Sequence, residues 1–186
     1  HPVAGRMPGH MNVLLAEADV SYDKLYEMEV VNDEFKNVDA VIVIGANDVL
    51  NPAARDAVDT PIYGMPILNV DKAKNIIICN FDLNPGYAGV DNPIYKRDEG
   101  VVLKLGDAKE TLQNLLTELQ TAQTAVDTSV AESAKSLSPM ASGVLAAARS
   151  VIIVPGYGMA LAQAQHLVKQ MADQLESNGA EVKYAI

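Results

Sequence analysis

The chain is expected to fold as an α/β domain, a doubly wound parallel sheet of about six strands with helices on both faces. Three observations predict it. Short β-branched runs, Val38–Gly45, Lys74–Cys79 and Val151–Val154, read as fully buried strands. Helical patterns alternate with them, as in a series of strand–helix–strand crossovers. The last run passes through Pro155 into Gly156-Tyr157-Gly158 and then into the small-residue segment Met159–Gln163. A buried strand feeding a Gly-x-Gly turn and a helix N-terminus is the pattern of a phosphate-cradling crossover. Such a unit ordinarily comes first in its domain. Here it begins about 150 residues into a chain of 186, so the element order reads as rotated.

The elements follow in order. His1–His10 is rich in Pro and Gly and reads as a loop, and Met11–Ala18 has helical spacing. Tyr22–Met28 reads as a short strand or part of a turn. Val38–Gly45 ends in Gly and the turn-forming Ala46-Asn47-Asp48, after which Asn51–Asp56 starts a short helix. Thr60–Pro66 is a loop, Ile67–Val70 a short strand and Lys74–Cys79 a buried one. Asn80–Asn92 is a long irregular loop containing Pro85, Gly86 and Gly89. Gly100–Leu105 is a strand, and Asp107 caps a helix over Ala108–Leu119. Gln120 to about Leu137 turns to Ala, Thr and Ser and reads as a partly helical linker. Gly143–Arg149 is a short helix. Ala162–Leu175 is amphipathic and closed by Ser177-Asn178-Gly179, and Glu181–Ile186 is the last strand. One domain spanning 1–186 is expected, with residues 120–137 joining segments 1–119 and 138–186.

Composition narrows the partners. A formal net charge of −10 argues against nucleic acid, which is bound through Lys and Arg. Cys79 is the sole cysteine, so no disulfide forms within the chain and no zinc motif is present; no metal site is expected. The longest apolar runs, Val41–Ile44 and Ile76–Cys79, fall far short of the ~20 residues of a membrane-spanning helix, so no direct membrane insertion by this chain is expected. The N-terminus lacks the pattern of a secretory signal. Starting at His1 without Met, the chain reads as a fragment or a processed product.

Six stretches carry a resemblance. They are His1–Ala18 (HPVAGRMPGHMNVLLAEA), Val43–Ala54 (VIGANDVLNPAA), Tyr63–Leu68 (YGMPIL), Gly86–Pro93 (GYAGVDNP), Leu105–Lys109 (LGDAK) and Val151–Gln165 (VIIVPGYGMALAQAQ). Together they resemble the NADP(H)-binding third domain of proton-translocating NAD(P) transhydrogenase, at the C-terminal end of its beta subunit. In that family the Gly-Tyr-Gly-Met unit comes first, and its second strand runs directly into the His-Pro-Val-Ala-Gly-Arg loop. The resemblance therefore implies a circular permutation, with Ile186 and His1 lying within a few residues' reach.

The resemblance also implies site residues. Gly156 and Gly158 allow a tight turn and close approach, with Tyr157 and Met159 beside them. The family binds its dinucleotide in the reverse sense, so this turn need not hold the pyrophosphate. Val3, Ala4, Gly5, Arg6, Met7 and Pro8 form a cofactor loop in which Arg6 is the phosphate partner. Gly45, Ala46, Asn47, Asp48 and Val49 follow a strand end, where ligands of doubly wound sheets sit. Asp48 is the acidic residue implicated in coupling proton transfer to cofactor binding; its other reading is a turn cap. Gly64, Met65, Asp107 and Ala108 carry over as cofactor contacts, although helix capping accounts equally well for Asp107. His10 and His166 read as surface or packing residues.

The segment Asn80, Phe81, Asp82, Leu83, Asn84, Pro85, Gly86 and Tyr87 departs from the family. Lys-Arg-Ser stand there at the positions of Asn80, Phe81 and Asp82, and the basic pair grips the 2′-phosphate of NADP. Here both charges are absent and a carboxylate is present, which favours a ribose hydroxyl and repels a phosphate. Lys96 and Arg97 follow later in the chain as candidate substitutes, but nothing in the sequence places them at the clamp. Gly86-Tyr87-Ala88-Gly89 reads as a lid. Two cofactor expectations follow: NADP(H) from the family, and NAD(H) from the local chemistry.

The expected activity is that of a redox component. It holds a nicotinamide dinucleotide for direct hydride transfer with a partner NAD(H)-binding domain, and a membrane domain couples this to proton translocation in the full enzyme. The resemblance places such a domain on the cytoplasmic face of a bacterial membrane or the matrix face of the mitochondrial inner membrane. The alternative is a non-catalytic dinucleotide-binding module.

Overall fold

The computed structural model describes residues 9–127 and 139–186, with side chains for 9–122 and 141–186. Its strands are β1 (Leu25–Tyr26), β2 (Ala40–Ile44), β3 (Ile76–Asn80), β4 (Val101–Leu105), β5 (Ser150–Pro155) and β6 (Glu181–Ala185). Its α-helices are α1 (His10–Glu17), α2 (Met28–Val31), α3 (Ala53–Asp56), α4 (Ala108–Asp127), α5 (Pro139–Ala147), α6 (Tyr157–Leu161) and α7 (Gln165–Ser177). The strands form one sheet in the order β1-β6-β5-β2-β3-β4, and every pairing is parallel. Counted from β5, that order is 3-2-1-4-5-6, the arrangement of a doubly wound dinucleotide-binding sheet.

Both faces of the sheet are covered, which explains the unbroken apolar runs in its central strands. Ile42, Ile44, Ile77, Cys79, Val151 and Ile153 meet Leu15 of α1, Leu112 and Leu115 of α4 and Val168 and Leu175 of α7. The alternate residues Val41, Val43, Ile76, Ile78, Ile152 and Val154 meet Val31, Phe35, Val49, Leu50 and Leu68. Helix α7 buries Val168, Met171, Ala172 and Leu175, a helical stripe at the spacing a core-facing helix requires.

Three elements differ from the sequence expectation. Ile67–Val70 is not a strand. Ile67 and Leu68 are buried, but the Leu68 N–H donates to Val49 O and the Asn69 N–H to Asn32 Oδ1, and a 3₁₀ turn follows at Val70–Lys72. Partners distant in the chain satisfy that backbone, leaving nothing for a ladder to do. Helix α4 ends at Asp127 and not at Leu119, in keeping with a partly helical linker; residues 128–138 lie outside the described part. The helix after the Gly-Tyr-Gly turn is broken into α6 and α7 at Gln163, whose φ of 52° is left-handed. Cys79 is buried, which pushes its thiol up to about 12 and leaves it a core residue.

Asp39 pins the base of the sheet. Its carboxylate accepts the Arg149 N–H at 2.8 Å and the Ser150 N–H at 3.0 Å, ordering the entry to β5. The Arg149 backbone bond is the chief reason its acidity is raised, so its pKa lies below the unfolded value of 3.8. A depressed folded pKa contributes stability above 3.8 that is lost as pH falls through the folded value. Asp39→Ala is expected to cost about 1 kcal/mol at pH 7 in urea unfolding, with the gap to wild type narrowing as pH falls below 3.8.

Candidate functional site

Strands β5 and β2 lie side by side at the point where strand order reverses, and the chain leaves their carboxyl ends in different directions. A crevice forms there in doubly wound sheets. The two turns that floor it touch backbone to backbone. A Cβ on Gly45 would lie 2.3 Å from Gly158 Cα, one on Gly156 2.4 Å from Gly45 O, and one on Gly158 2.7 Å from Gly45 Cα. Gly45 also has a left-handed φ of 63°. The Gly156 N–H donates to Ile44 O at 2.8 Å and the Gly158 N–H to Gly45 O at 2.9 Å. These donors hold the two turns together. Tyr157 stands out from the turn at 58% exposure, whereas Met159 is fully buried in the core and brings no side chain to the crevice.

Asp48 lies just past the end of β2, in a 3₁₀ turn, and is 6% exposed. Its Oδ2 accepts the Ala88 N–H at 2.9 Å, and its Oδ1 is enclosed without a partner. A Cβ on Gly86 would lie 2.7 Å from that Oδ1, so the loop passes directly over the carboxylate. Asparagines complete the attachment. Asn47 Nδ2 donates to Asn84 O, Asn92 Nδ2 to Asn47 Oδ1, and Asn51 Nδ2 to the carbonyls of Val90 and Asp91. Met65, Ala88 and Val90 pack on a small cluster of Ala53, Ala54, Ile62 and Ile67, which brings the Gly64-Met65 turn beside the same loop. Ala46 and Val49 are buried supports beneath it.

At the end of β3, Asn80 is only 7% exposed. Its Nδ2 donates to the Tyr95 hydroxyl at 2.8 Å and to Ala46 O at 3.1 Å, while Oδ1 is enclosed and unpartnered. Burial pushes the Tyr95 phenol up to about 12. The bond from Asn80 opposes the shift, and the charges of Asp48 and Asp82 add to it. Phe81 projects at 77% exposure. Asp82 folds back on its own loop, Oδ1 accepting the Asn84 N–H and Oδ2 the Asn84 side chain, in an Asx turn. Leu83 and Tyr87 are exposed. Pro85 lies within this loop.

The two later cations are engaged elsewhere. Lys96 pairs with Asp91 at 3.4 Å, and Arg97 donates to the carbonyls of Asp71, Ala73 and Lys74, beside the entry to β3. Asp107 caps α4, its Oδ1 accepting the Lys109 N–H at 2.9 Å and the Glu110 N–H at 3.2 Å, and Ala108 is buried behind it. Val3, Ala4, Gly5, Arg6, Met7 and Pro8, and the junction of His1 with Ile186, lie outside the described residues. Asn51, Asn92 and Tyr95 are site residues that the sequence reading passed over. For Asn92 a signal existed, since Asn-Pro initiates turns and its Oδ1 caps the Ile94 N–H.

The chain has clear relatives. The family model described as NAD(P) transhydrogenase beta subunit matches it in two stretches, residues 1–118 and 116–186. Two sequences of NAD(P) transhydrogenase subunit beta from Rhodospirillum rubrum are each 52% identical over 116 residues, covering 62% of this chain and 25% of theirs. The chain thus spans about a quarter of the length of these relatives. Among solved structures, a chain of the formyltransferase/hydrolase complex of Methylorubrum extorquens aligns with a TM-score of 0.53 at 10% identity, over 95% of this chain and 42% of that one. That likeness concerns the fold alone. Among the described residues no helix is long and apolar enough to cross a membrane, and no cluster of His, Cys, Asp and Glu could hold a metal. Two matches to one family model, which between them take in every element of the sheet, lead to a single assignment: the chain belongs to the NAD(P) transhydrogenase beta subunit family.

Proposed function

We propose that this chain is the nicotinamide-dinucleotide-binding domain of a transhydrogenase, with its family order circularly permuted. The observation that carries the reading is the contact of the Gly45 turn with the Gly156-Tyr157-Gly158 turn at the strand-order reversal, with Asp48 and its overlying loop alongside. The two-stretch family match and a strand order that reads 3-2-1-4-5-6 from β5 support the permutation. The bound dinucleotide supplies the hydride chemistry. The protein holds the nicotinamide for exchange with a cofactor on a separate NAD(H)-binding domain. Asp48, the titratable group that accepts a hydrogen bond from the lid, is the residue through which protons would couple to cofactor binding in the full membrane enzyme. Arg6, outside the described residues, is the phosphate partner that the family resemblance implies.

For the cofactor, local chemistry favours NAD(H) over the family's NADP(H). Position 80 is turned inward, Phe81 is apolar and Asp82 is acidic. Arg97 is bound to three carbonyls and Lys96 to Asp91. A 2′-phosphate would meet a carboxylate and no cation from residues 80–87, whereas a 2′-hydroxyl would meet acceptors. Calorimetric titration with NADH and NADPH at one fixed salt tests this, and NADH is expected to bind at least tenfold more tightly. Tighter NADPH restores the family cofactor. Binding of neither rejects the site. Hydride exchange on adding an NAD(H)-binding partner domain separates a redox component from a binding module.

A further inference from the structure

The amino edge of the sheet, at the end opposite the crevice, carries a cavity of about 540 Å³. That volume lies within the ~300–1,000 Å³ of small-molecule pockets. Residues 36–39 before β2, Lys74 and Asn75 before β3 and the second half of α5 enclose it. Val38, Val144 and Ala147 give it an apolar wall. Lys36 and Lys74 line it as well. Among the described residues, the lysines whose ammonium groups have neither an ion pair nor a hydrogen bond are Lys36, Lys74 and Lys109, and two of these three meet at this cavity. That is a local excess of positive charge in a chain of formal net charge −10. Asp39 is the single carboxylate on the lining, and it already accepts the Arg149 and Ser150 N–H groups. Gly143 is an independent observation. It lies within α5, where Gly is the least favourable residue after Pro. Close approach of another element would explain it, yet a Cβ there would meet nothing within 4 Å. It borders the cavity, so its missing side chain leaves the space open.

We propose that this cavity is a second ligand site, which takes a phosphate monoester with a small apolar body. The two ammonium groups hold the phosphate, and the wall of Val38, Val144 and Ala147 takes the body. Charge selects the head group. A phosphate monoester carries close to two negative charges at neutral pH, which two lysines match and a single carboxylate does not. Asn37 lines the same space and adds amide donors that no other described residue uses. The site lies across the length of the sheet from the Gly45 and Gly156-Tyr157-Gly158 turns, so it stands independently of the dinucleotide reading.

The test is a titration of the full chain, labelled with nitrogen-15, with phenyl phosphate and separately with inorganic phosphate at one fixed salt. Phenyl phosphate is expected to shift the amide signals of residues 36–39, 74–75 and 143–148 saturably. Inorganic phosphate, which lacks the apolar body, is expected to bind at least tenfold more weakly. Gly143→Leu projects a side chain into the open space and is expected to weaken phenyl phosphate at least tenfold, with Tm unchanged or raised. Lys36→Met combined with Lys74→Met, both at exposed positions, is expected to weaken it about tenfold. Should Gly143→Leu lower Tm, the lysine pair decides alone. Shifts confined to Gly45 and Gly156-Tyr157-Gly158 would place the ligand in the crevice and overturn the proposal. Shifts that do not saturate, inorganic phosphate binding as tightly as the ester, or lysine variants that bind like wild type would overturn it as well.

Discussion

Gly45→Ala is expected to lower Tm by about 10 °C and to abolish dinucleotide binding. The added Cβ would lie 2.3 Å from Gly158 Cα and 2.6 Å from its N and C, all backbone atoms that cannot rotate away. Overpacking of this kind costs about 1–3 kcal/mol or more, and a left-handed φ adds about 1–2 kcal/mol for a residue with a Cβ. For a chain of this size each kcal/mol moves Tm by about 2–4 °C. Gly64→Ala separates the two causes. Gly64 has a φ of 78° but open space where its Cβ would be, so it should show the conformational cost alone, about 1–2 kcal/mol. Equal melting shifts for the two variants would mean that the touching turns contribute nothing.

The double substitution Phe81→Arg with Asp82→Ser is expected to raise NADPH affinity about a hundredfold. It installs a guanidinium that can fork onto the 2′-phosphate and removes a carboxylate that repels it. Each charged hydrogen bond contributes about 1.5–3 kcal/mol, and ~1.4 kcal/mol is a factor of ten. Phe81 is exposed and Asp82 bonds only to Asn84 within its own loop, so neither change disturbs the core. The gain should shrink as salt rises, because it is electrostatic. A gain that ignores salt, or no gain, would place the ribose elsewhere.

The sheet was legible because its strands are buried on both faces and so appear as unbroken β-branched runs. The crossovers between them carry ordinary caps, such as Asp107 before α4 and Asn178-Gly179 after α7. Ile67–Val70 misled because its apolar residues are buried by a loop that Asn32 and Val49 satisfy from far along the chain. The length of α4 was hidden by a composition of Ala, Thr and Gln that suits linker and solvated helix equally. At the site, the glycines and Asp48 are visible as motif. The inward turn of Asn80 is not, because it depends on Tyr95 and Ala46, which sequence spacing alone does not bring together. The fate of Arg97 was equally hidden, since its three carbonyl partners come from the segment 71–74.

The pairing of β2 with β5 has a kinetic meaning. It is the central contact of the sheet, yet the residues at its base, Asp39 and Ser150, are 111 positions apart in the chain. Closing so long a loop is entropically costly, and domains dominated by such pairings fold slowly. Neither chain segment owns the crevice. The Gly45 side arrives with β2 and the Gly156-Tyr157-Gly158 side with β5, and the cleft exists only once they meet. A ligand seated there bridges the two halves of the polypeptide and acts as a clasp across the seam where folding is completed.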